Sequence, residues 1–238
     1  MKNLRLTGER LITGAGALNA LSELTFTRAL IITGGKSMFR NGTIHRAETL
    51  LSPRGAVEVC HVMRRFAPDL VIAIGGGSSI DAAKAMLLFY EWPALNFDNV
   101  FQSTLPQKRT KTTFVAVPST SGTASEVTHV TVITFPEQQN KLAIKTEALR
   151  PDIAILDGEL CMSLPAHIAA ETGMDALTHA IECFTNRSKE TFTNALAIGA
   201  ITAILQWLLQ SVEQATPESR QKMHEFSRSE ERRVGKEC

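Results

Sequence analysis

The sequence predicts an α/β domain built on a parallel sheet over residues 1–158, followed by an all-α domain. Three observations lead there. Short apolar runs such as Ala29-Leu30-Ile31-Ile32-Thr33 and Asp69-Leu70-Val71-Ile72-Ala73-Ile74 are continuous rather than alternating, as in strands buried on both faces. These runs stop at glycines, Gly34-Gly35 and Gly75-Gly76-Gly77, which suit the tight turn from a strand into a helix. Beyond about residue 158 every pattern reads as helix and no strand signal remains.

Taken in order, residues 4–13 suggest a short first strand, and Gly14-Ala15-Gly16 opens a helix that runs to Leu24. The Ala29–Thr33 strand follows, then a helix from Thr43 to Leu51. Ser52-Pro53-Arg54-Gly55 is a breaker cluster, and Ala56 to Phe66 reads as a second helix. Two helices with no strand between them interrupt the alternation a parallel sheet needs, so an inner strand is expected to be missing here. After the Asp69–Ile74 strand, Ile80 to Tyr90 is amphipathic, with Ile80, Ala83, Leu87 and Leu88 apolar and Asp81 and Lys84 on the polar side. Thr113–Val117, Val130–Phe135 and Ile153–Asp157 are further strands. Helices are predicted over Pro165–Ala170, Gly173–Phe184 and Thr193–Val212. Met174, Leu177 and Ile181 are expected in the core of the second, and Ala195, Ile198, Ile201, Leu205, Leu208 and Leu209 form an apolar stripe on the third. Residues 227–238 are nearly all polar or charged and predict a disordered tail.

Composition narrows the function. Apolar residues are 44% and charged residues 21%, as in ordinary globular proteins. Lys+Arg 25 against Asp+Glu 24 gives no support for a nucleic-acid or anionic-membrane surface. No uninterrupted apolar run reaches the roughly 20 residues that span a bilayer, and Met1–Leu6 lacks a signal core. Cys60, Cys161, Cys183 and Cys238 are scattered, which suits reduced thiols in a cytoplasmic protein.

Three stretches carry chemistry. Strand, glycine turn and helix at Gly75-Gly76-Gly77-Ser78-Ser79 is an arrangement for holding phosphate: glycines admit the anion, and helix N–H groups bind it. It is neither of the two standard phosphate fingerprints. Pro118 to Thr128 is rich in hydroxyls that can serve a phosphate, a ribose or an amide. In Gly173-Met174-Asp175-Ala176-Leu177-Thr178-His179-Ala180-Ile181-Glu182, Asp175 and His179 share one helical face. That pair is either half of a divalent-metal site or a buried Asp–His hydrogen bond.

In order and spacing, these three stretches resemble the iron-containing, group III alcohol dehydrogenases over residues 10–226, and in particular their propanol and ethanol dehydrogenase branch. The resemblance implies a Rossmann-like dinucleotide-binding domain followed by a helical metal-binding domain. It assigns Gly76, Gly77 and Ser78 to the cofactor pyrophosphate, with Asp81 close by and Gly34 also in the cofactor set. It puts Ser119, Thr120, Thr123 and Thr128 in the loop lining the cofactor cleft, and Lys141 at the ribose. Asp175 and His179 become the first two metal ligands, with two more histidines expected on later helices. The implied cofactors are NAD, with NADP tolerated, and Fe2+ or another divalent metal such as Zn2+. The implied substrate is a small alcohol or aldehyde, and homo-oligomers are the family's habit.

Three departures temper this picture. The pattern ends before the remaining ligands, and His224 falls a few turns ahead of the third, so a shortened form with weak metal binding is expected. The residues from Arg228 to Cys238 match a translated sequencing adapter better than the family. Gly34-Gly35-Lys36-Ser37 lacks the acidic residue that excludes a 2′-phosphate, so Lys36 is a candidate to meet one. A non-catalytic nucleotide-binding fragment and a relative of the glycerol dehydrogenase or maleylacetate reductase type remain as alternatives.

Overall fold

The computed structural model describes residues 8–60, 62–135, 140–186 and 191–227. The chain runs β1 (Arg10–Thr13), a 3-10 turn (Ala17–Glu23), β2 (Arg28–Thr33), α1 (Ser37–Arg40), α2 (Thr43–Leu51), β3 (Ala56–Val59) and α3 (Met63–Phe66). It continues through β4 (Leu70–Gly75), α4 (Gly77–Glu91), β5 (Thr113–Pro118), β6 (Val130–Phe135), β7 (Asn140–Lys145) and β8 (Ile153–Leu156). The helices α5 (Ala166–Thr185), α6 (Thr191–Glu213) and α7 (Pro217–Phe226) complete it. Six strands make one parallel sheet in the order β1-β8-β5-β4-β2-β3, and β6 and β7 form a separate antiparallel hairpin.

The apolar runs become strands because both faces of each find cover. Ile31, Ile72, Val115 and Ile155 point to one side and pack on Leu18, Leu21, Ile44 and Leu51. Their neighbours Leu30, Val71 and Phe114 point to the other and pack on Ile80, Ala83 and Leu87 of α4. Successive residues thus serve opposite layers, the period-two rule of a strand. From β2 the chain moves out to β3 and then back past β2 to β4, β5 and β8. The direction changes between β2 and β4, where a parallel sheet opens a crevice at its carboxyl ends.

The expected missing strand is present. Ala56–Val59 is β3, not helix, and lies in register with β2, Ala29 beside Val57 and Ile31 beside Val59. Its alternating valines suit a sheet edge, and the partner strand decides the conformation that local periodicity left ambiguous. What is short is the return from β3 to β4: residues 60–69 hold only the four-residue α3, below the dozen or so usual for a parallel crossover.

In the helical part, Gly173 does not start a helix but lies inside the continuous α5, where the lack of a Cβ makes room for Leu208, whose Cδ1 would be 2.3 Å from one. Ala176 and Leu177 of α5 pack with Ile204 of α6 and Met223 of α7. Met174 and Ile181, expected in this core, are instead exposed (50% and 45%); the contact arc of α5 is narrower than its apolar arc. On α6 the expected stripe divides: Ile201 and Leu208 face the core, while Ile198, Leu205 and Leu209 face outward. This helix is also long and apolar enough, by length and composition, to cross a membrane, which the search for uninterrupted apolar runs missed. The core helix of a soluble protein passes the same test. Of the predicted tail, residues 227–238, Ser227 is ordered instead, buried at the end of α7 with its N–H donating to Met223 O at 3.0 Å, and residues 228–238 lie outside the described residues.

Asp69 ties the start of β2 to β4. Its carboxylate accepts the backbone N–H of Arg28 at 2.7 Å and of Thr27 at 2.8 Å. Burial works against its charge, but these hydrogen bonds outweigh it and hold its pKa below 3.8. A carboxyl depressed in the folded state adds stability above its unfolded pKa and loses it as pH falls through the folded value. Asp69→Asn is therefore expected to lower the urea midpoint at pH 7, with the gap to the parent closing below about pH 3.8. A gap that stays constant down to pH 2.5 would contradict this.

Candidate functional site: a cleft between the glycine turn and helix α5

The register of the sheet builds the site. Gly75 lies beside Pro118, so the turn leaving β4 and the loop leaving β5 start side by side. Ser119 N–H donates to Gly75 O at 2.9 Å and locks the two together. Gly75 has φ +153, and Ser79 Oγ would be 2.6 Å from a Cβ there, so both backbone and space demand glycine. Gly76 caps α4 with no side-chain hydrogen bond, leaving the helix N-terminus to a ligand. At Gly77 a Cβ would stand 2.4 Å from Thr123 Oγ1 and 2.8 Å from its Cβ. The turn and the hydroxyl loop are thus as close as two chains can come.

These elements line a cavity of about 810 Å³. Of the residues singled out from the sequence, it brings together Gly77, Ser78, Asp81, Thr123, Lys141, Asp175 and His179. Thr120 packs near Gly76, with its methyl 3.5 Å from where a Cβ would be. Three others stand back from the cavity wall. Gly34 abuts Ser79 behind the turn, Ser119 is buried in the backbone tie, and Thr128 bonds Lys84. Lys36 is exposed just beyond β2.

Lys84, placed by the sequence on the polar side of the helix, is fully buried. Its ammonium donates to Thr128 O at 2.9 Å, Thr128 Oγ1 at 3.0 Å and Val130 O at 2.8 Å, and lies 3.9 Å from Asp81 Oδ1. Asp81 in turn accepts the Val132 N–H through Oδ2 at 3.2 Å, while its Oδ1 is buried with no hydrogen bond. The pair joins α4, the end of the hydroxyl loop and β6 into one wall. Sequence reasoning also missed Phe89 and Phe97, which meet edge to face with centroids 4.7 Å apart and give the cavity an apolar side. Only their apolar character was legible, since the loop that carries Phe97 has no periodic signal.

Helix α5 supplies the far wall. Gly122 lets it approach: a Cβ there would meet the Thr172 carbonyl oxygen at 2.6 Å. Two turns on, His179 Nδ1 lies 2.7 Å from Asp175 O and 3.2 Å from Asp175 Oδ1. A carbonyl oxygen only accepts, so Nδ1 is the donor in its contact with Asp175 O. His224, by contrast, is buried away from this cavity (1% exposed), with Nδ1 3.0 Å from Ser121 Oγ and 3.4 Å from Cys161 Sγ. Burial pushes the Cys161 thiol up to about 12, so it is a neutral neighbour.

The cavity fits a dinucleotide: an uncapped helix N-terminus, a glycine cradle that a Cβ would fill, hydroxyls opposite and a lysine on the rim. It fits a metal less completely. A carboxylate and an imidazole suit Fe2+ or Zn2+, yet a catalytic site needs at least three protein donors, and no group of three His, Cys, Asp or Glu is gathered among the described residues.

Fold and cleft together define a Rossmann-like α/β protein with a helical region beside the cleft. The sequence pattern of the iron-containing alcohol dehydrogenases matches residues 53–158, and that of the C-terminal part of the same family matches 169–227. This chain belongs to the iron-containing alcohol dehydrogenase family. It is 41% identical over 229 residues to an NADPH-dependent butanol dehydrogenase of Clostridium saccharobutylicum, covering 89% of this chain and 59% of that one. An iron-containing alcohol dehydrogenase structure from Thermococcus thioreducens matches with TM-score 0.86 and 34% identity, over 96% of this chain and 66% of that one. A sulfoacetaldehyde reductase of Bifidobacterium kashiwanohense in complex with NAD+ matches with TM-score 0.85 and 26% identity, over 97% and 65%. The chain thus spans about two thirds or less of the length of each of these relatives.

Lys84→Met is expected to cost about 3–5 kcal/mol, because it strands three buried acceptors and removes the cation beside the half-buried Asp81 carboxylate. Chemical denaturation measures it; a cost below about 1 kcal/mol would mean that the ammonium contributes little to this wall.

Proposed function

We propose that the chain carries the dinucleotide-binding part, and the near half of the metal site, of an oxidoreductase that moves a hydride between NAD(P) and a short-chain primary alcohol or aldehyde. The observation that carries this reading is the single cavity shared by Gly77, Ser78 and Thr123 on one side and Asp175 and His179 on the other. The α4 N-terminus would bind the pyrophosphate through backbone N–H groups. Thr123 and Ser125 would add hydroxyl donors, and Lys141 a cation at the ribose end. Phe89 and Phe97 would exclude water from one flank. When bound, the nicotinamide accepts a hydride from the alcohol or returns one to the carbonyl.

Asp175 and His179 would be two donors to a divalent metal, Fe2+ or Zn2+. With two donors the metal is expected to bind weakly to this chain, and turnover to be correspondingly low. That expectation favours a second reading for the chain alone, a nucleotide-binding module without catalysis. The absence of an acid at Gly34-Gly35-Lys36 supports tolerance of NADP, since no carboxylate there repels a 2′-phosphate and Lys36 can approach one.

Titration of the chain with NAD+ and NADP+, each with and without Zn2+, tests these points together. We expect saturable binding of both dinucleotides, little change with metal, and substoichiometric metal after dialysis. Failure of both dinucleotides to bind would remove the reading; strict preference for NAD+ would remove the role of Lys36. Stoichiometric metal with turnover of 1-propanol would overturn the expectation of an incomplete metal site.

A further inference from the structure

A buried group of polar side chains on α7 and its neighbours lies outside the cavity and takes no part in the chemistry proposed above. Thr216 caps α7 by accepting the Ser219 N–H, and Pro217 opens it. The helix then ties itself to the sheet domain and to the segment ahead of α5. Arg220 Nη2 donates to Leu164 O at 3.0 Å, Gln221 Oε1 accepts the Gly158 N–H at 2.7 Å, and His224 Nδ1 meets Ser121 Oγ at 3.0 Å. Of these ties, only that of His224 reaches the hydroxyl loop.

That loop needs holding. Residues 119–129 form neither helix nor strand, and Ala124 sits at φ +51, a left-handed conformation that costs a non-glycine residue about 1–2 kcal/mol. Strain of this kind persists only where the surroundings over-determine it. On the cavity side the loop presents Thr120 to Gly76 and Thr123 to Gly77. On its other side Gly122 lies against Thr172 of α5, and Ser121 is bonded to His224. Ser121 is thus one residue from Thr120 and two from Thr123. An imidazole kept for packing alone would be a poor choice at 1% exposure, because burying its polar nitrogens costs free energy that an apolar ring would not.

We propose that His224 is a positioning residue for dinucleotide binding: through its hydrogen bond to Ser121 it fixes the loop that holds Thr120 and Thr123 against the glycine turn. The proposal rests on reading the cavity as the dinucleotide site. It adds a role for the helical region that requires no metal.

The test compares NAD+ affinity by calorimetry, melting temperature and amide hydrogen exchange of residues 119–125 in the parent, Ser121→Ala, His224→Ala, the double variant and His224→Asn. Asparagine sets a polar atom where Nδ1 stood. Ser121→Ala removes only a hydroxyl and keeps the test open if His224→Ala does not fold. The expected result is a loss of NAD+ affinity of about five- to twenty-fold in each Ala variant, the size of one buried hydrogen bond. The double variant is expected to be no worse than either single one, exchange in the loop to be faster, and His224→Asn to recover affinity. A fall in melting temperature with unchanged affinity and loop exchange would overturn the proposal, leaving His224 a packing residue. If the parent binds no dinucleotide at all, the functional reading itself fails and this role falls with it. Weakened binding in the variants alone separates the two cases.

Discussion

The approach of α5 to the hydroxyl loop at Gly122 is the contact on which the site depends. Any side chain there would meet the Thr172 backbone, so the spacing between the sheet domain and the helical region is set by the absence of a Cβ. A second bare position, Gly77, sets the same loop against the phosphate turn. The loop is thereby caught between two glycine contacts, one facing the anion site and one facing the helix that carries Asp175 and His179. That sandwich makes one cavity out of residues more than a hundred positions apart in the chain. Close packing of this kind transmits small displacements rather than absorbing them, so a shift of α5 is felt at the turn.

Around this sandwich the polar groups are arranged to hold shape. Lys84 is surrounded by Thr128 and Val130 oxygens with Asp81 nearby, so a full charge is buried without being wasted on solvent. A buried ammonium adds less stability than its Coulomb attraction to Asp81 suggests, but removing it is costly because its three oxygen partners are left unpaired. His224 and Ser121 do the same on the opposite side. The loop needs both ties because its own backbone, with Ala124 left-handed, does not favour the shape it holds.

Much of this was legible in the sequence where local chemistry decides. Strand, glycine turn and helix at Leu70–Glu91 follow from an apolar run and three glycines, and the i, i+4 spacing of Asp175 and His179 set them on one face. The failures share a cause. β3 was hidden because four residues with a central Glu58 carry too little periodicity, and pairing with β2 made the choice. Lys84 was placed only on a polar side, because nothing local reveals that three oxygens from a distant loop and strand will surround its ammonium. Met174 and Ile181 looked buried because an apolar face on a helix does not say how much of it a neighbour covers. Gly122, Gly173 and Ser121 fell within stretches the sequence singled out, but their individual roles did not show, since those lie in what approaches them.

The central claim is that the glycine turn, the hydroxyl loop and α5 act as one binding surface. Backbone amide NMR of the chain during an NAD+ titration tests it most directly. The account predicts that the amides of Gly76–Ser79, of Thr123 and of α5 near Asp175 shift together along one binding curve with a single dissociation constant. Shifts confined to the glycine turn, with α5 unmoved or following a separate curve, would contradict it.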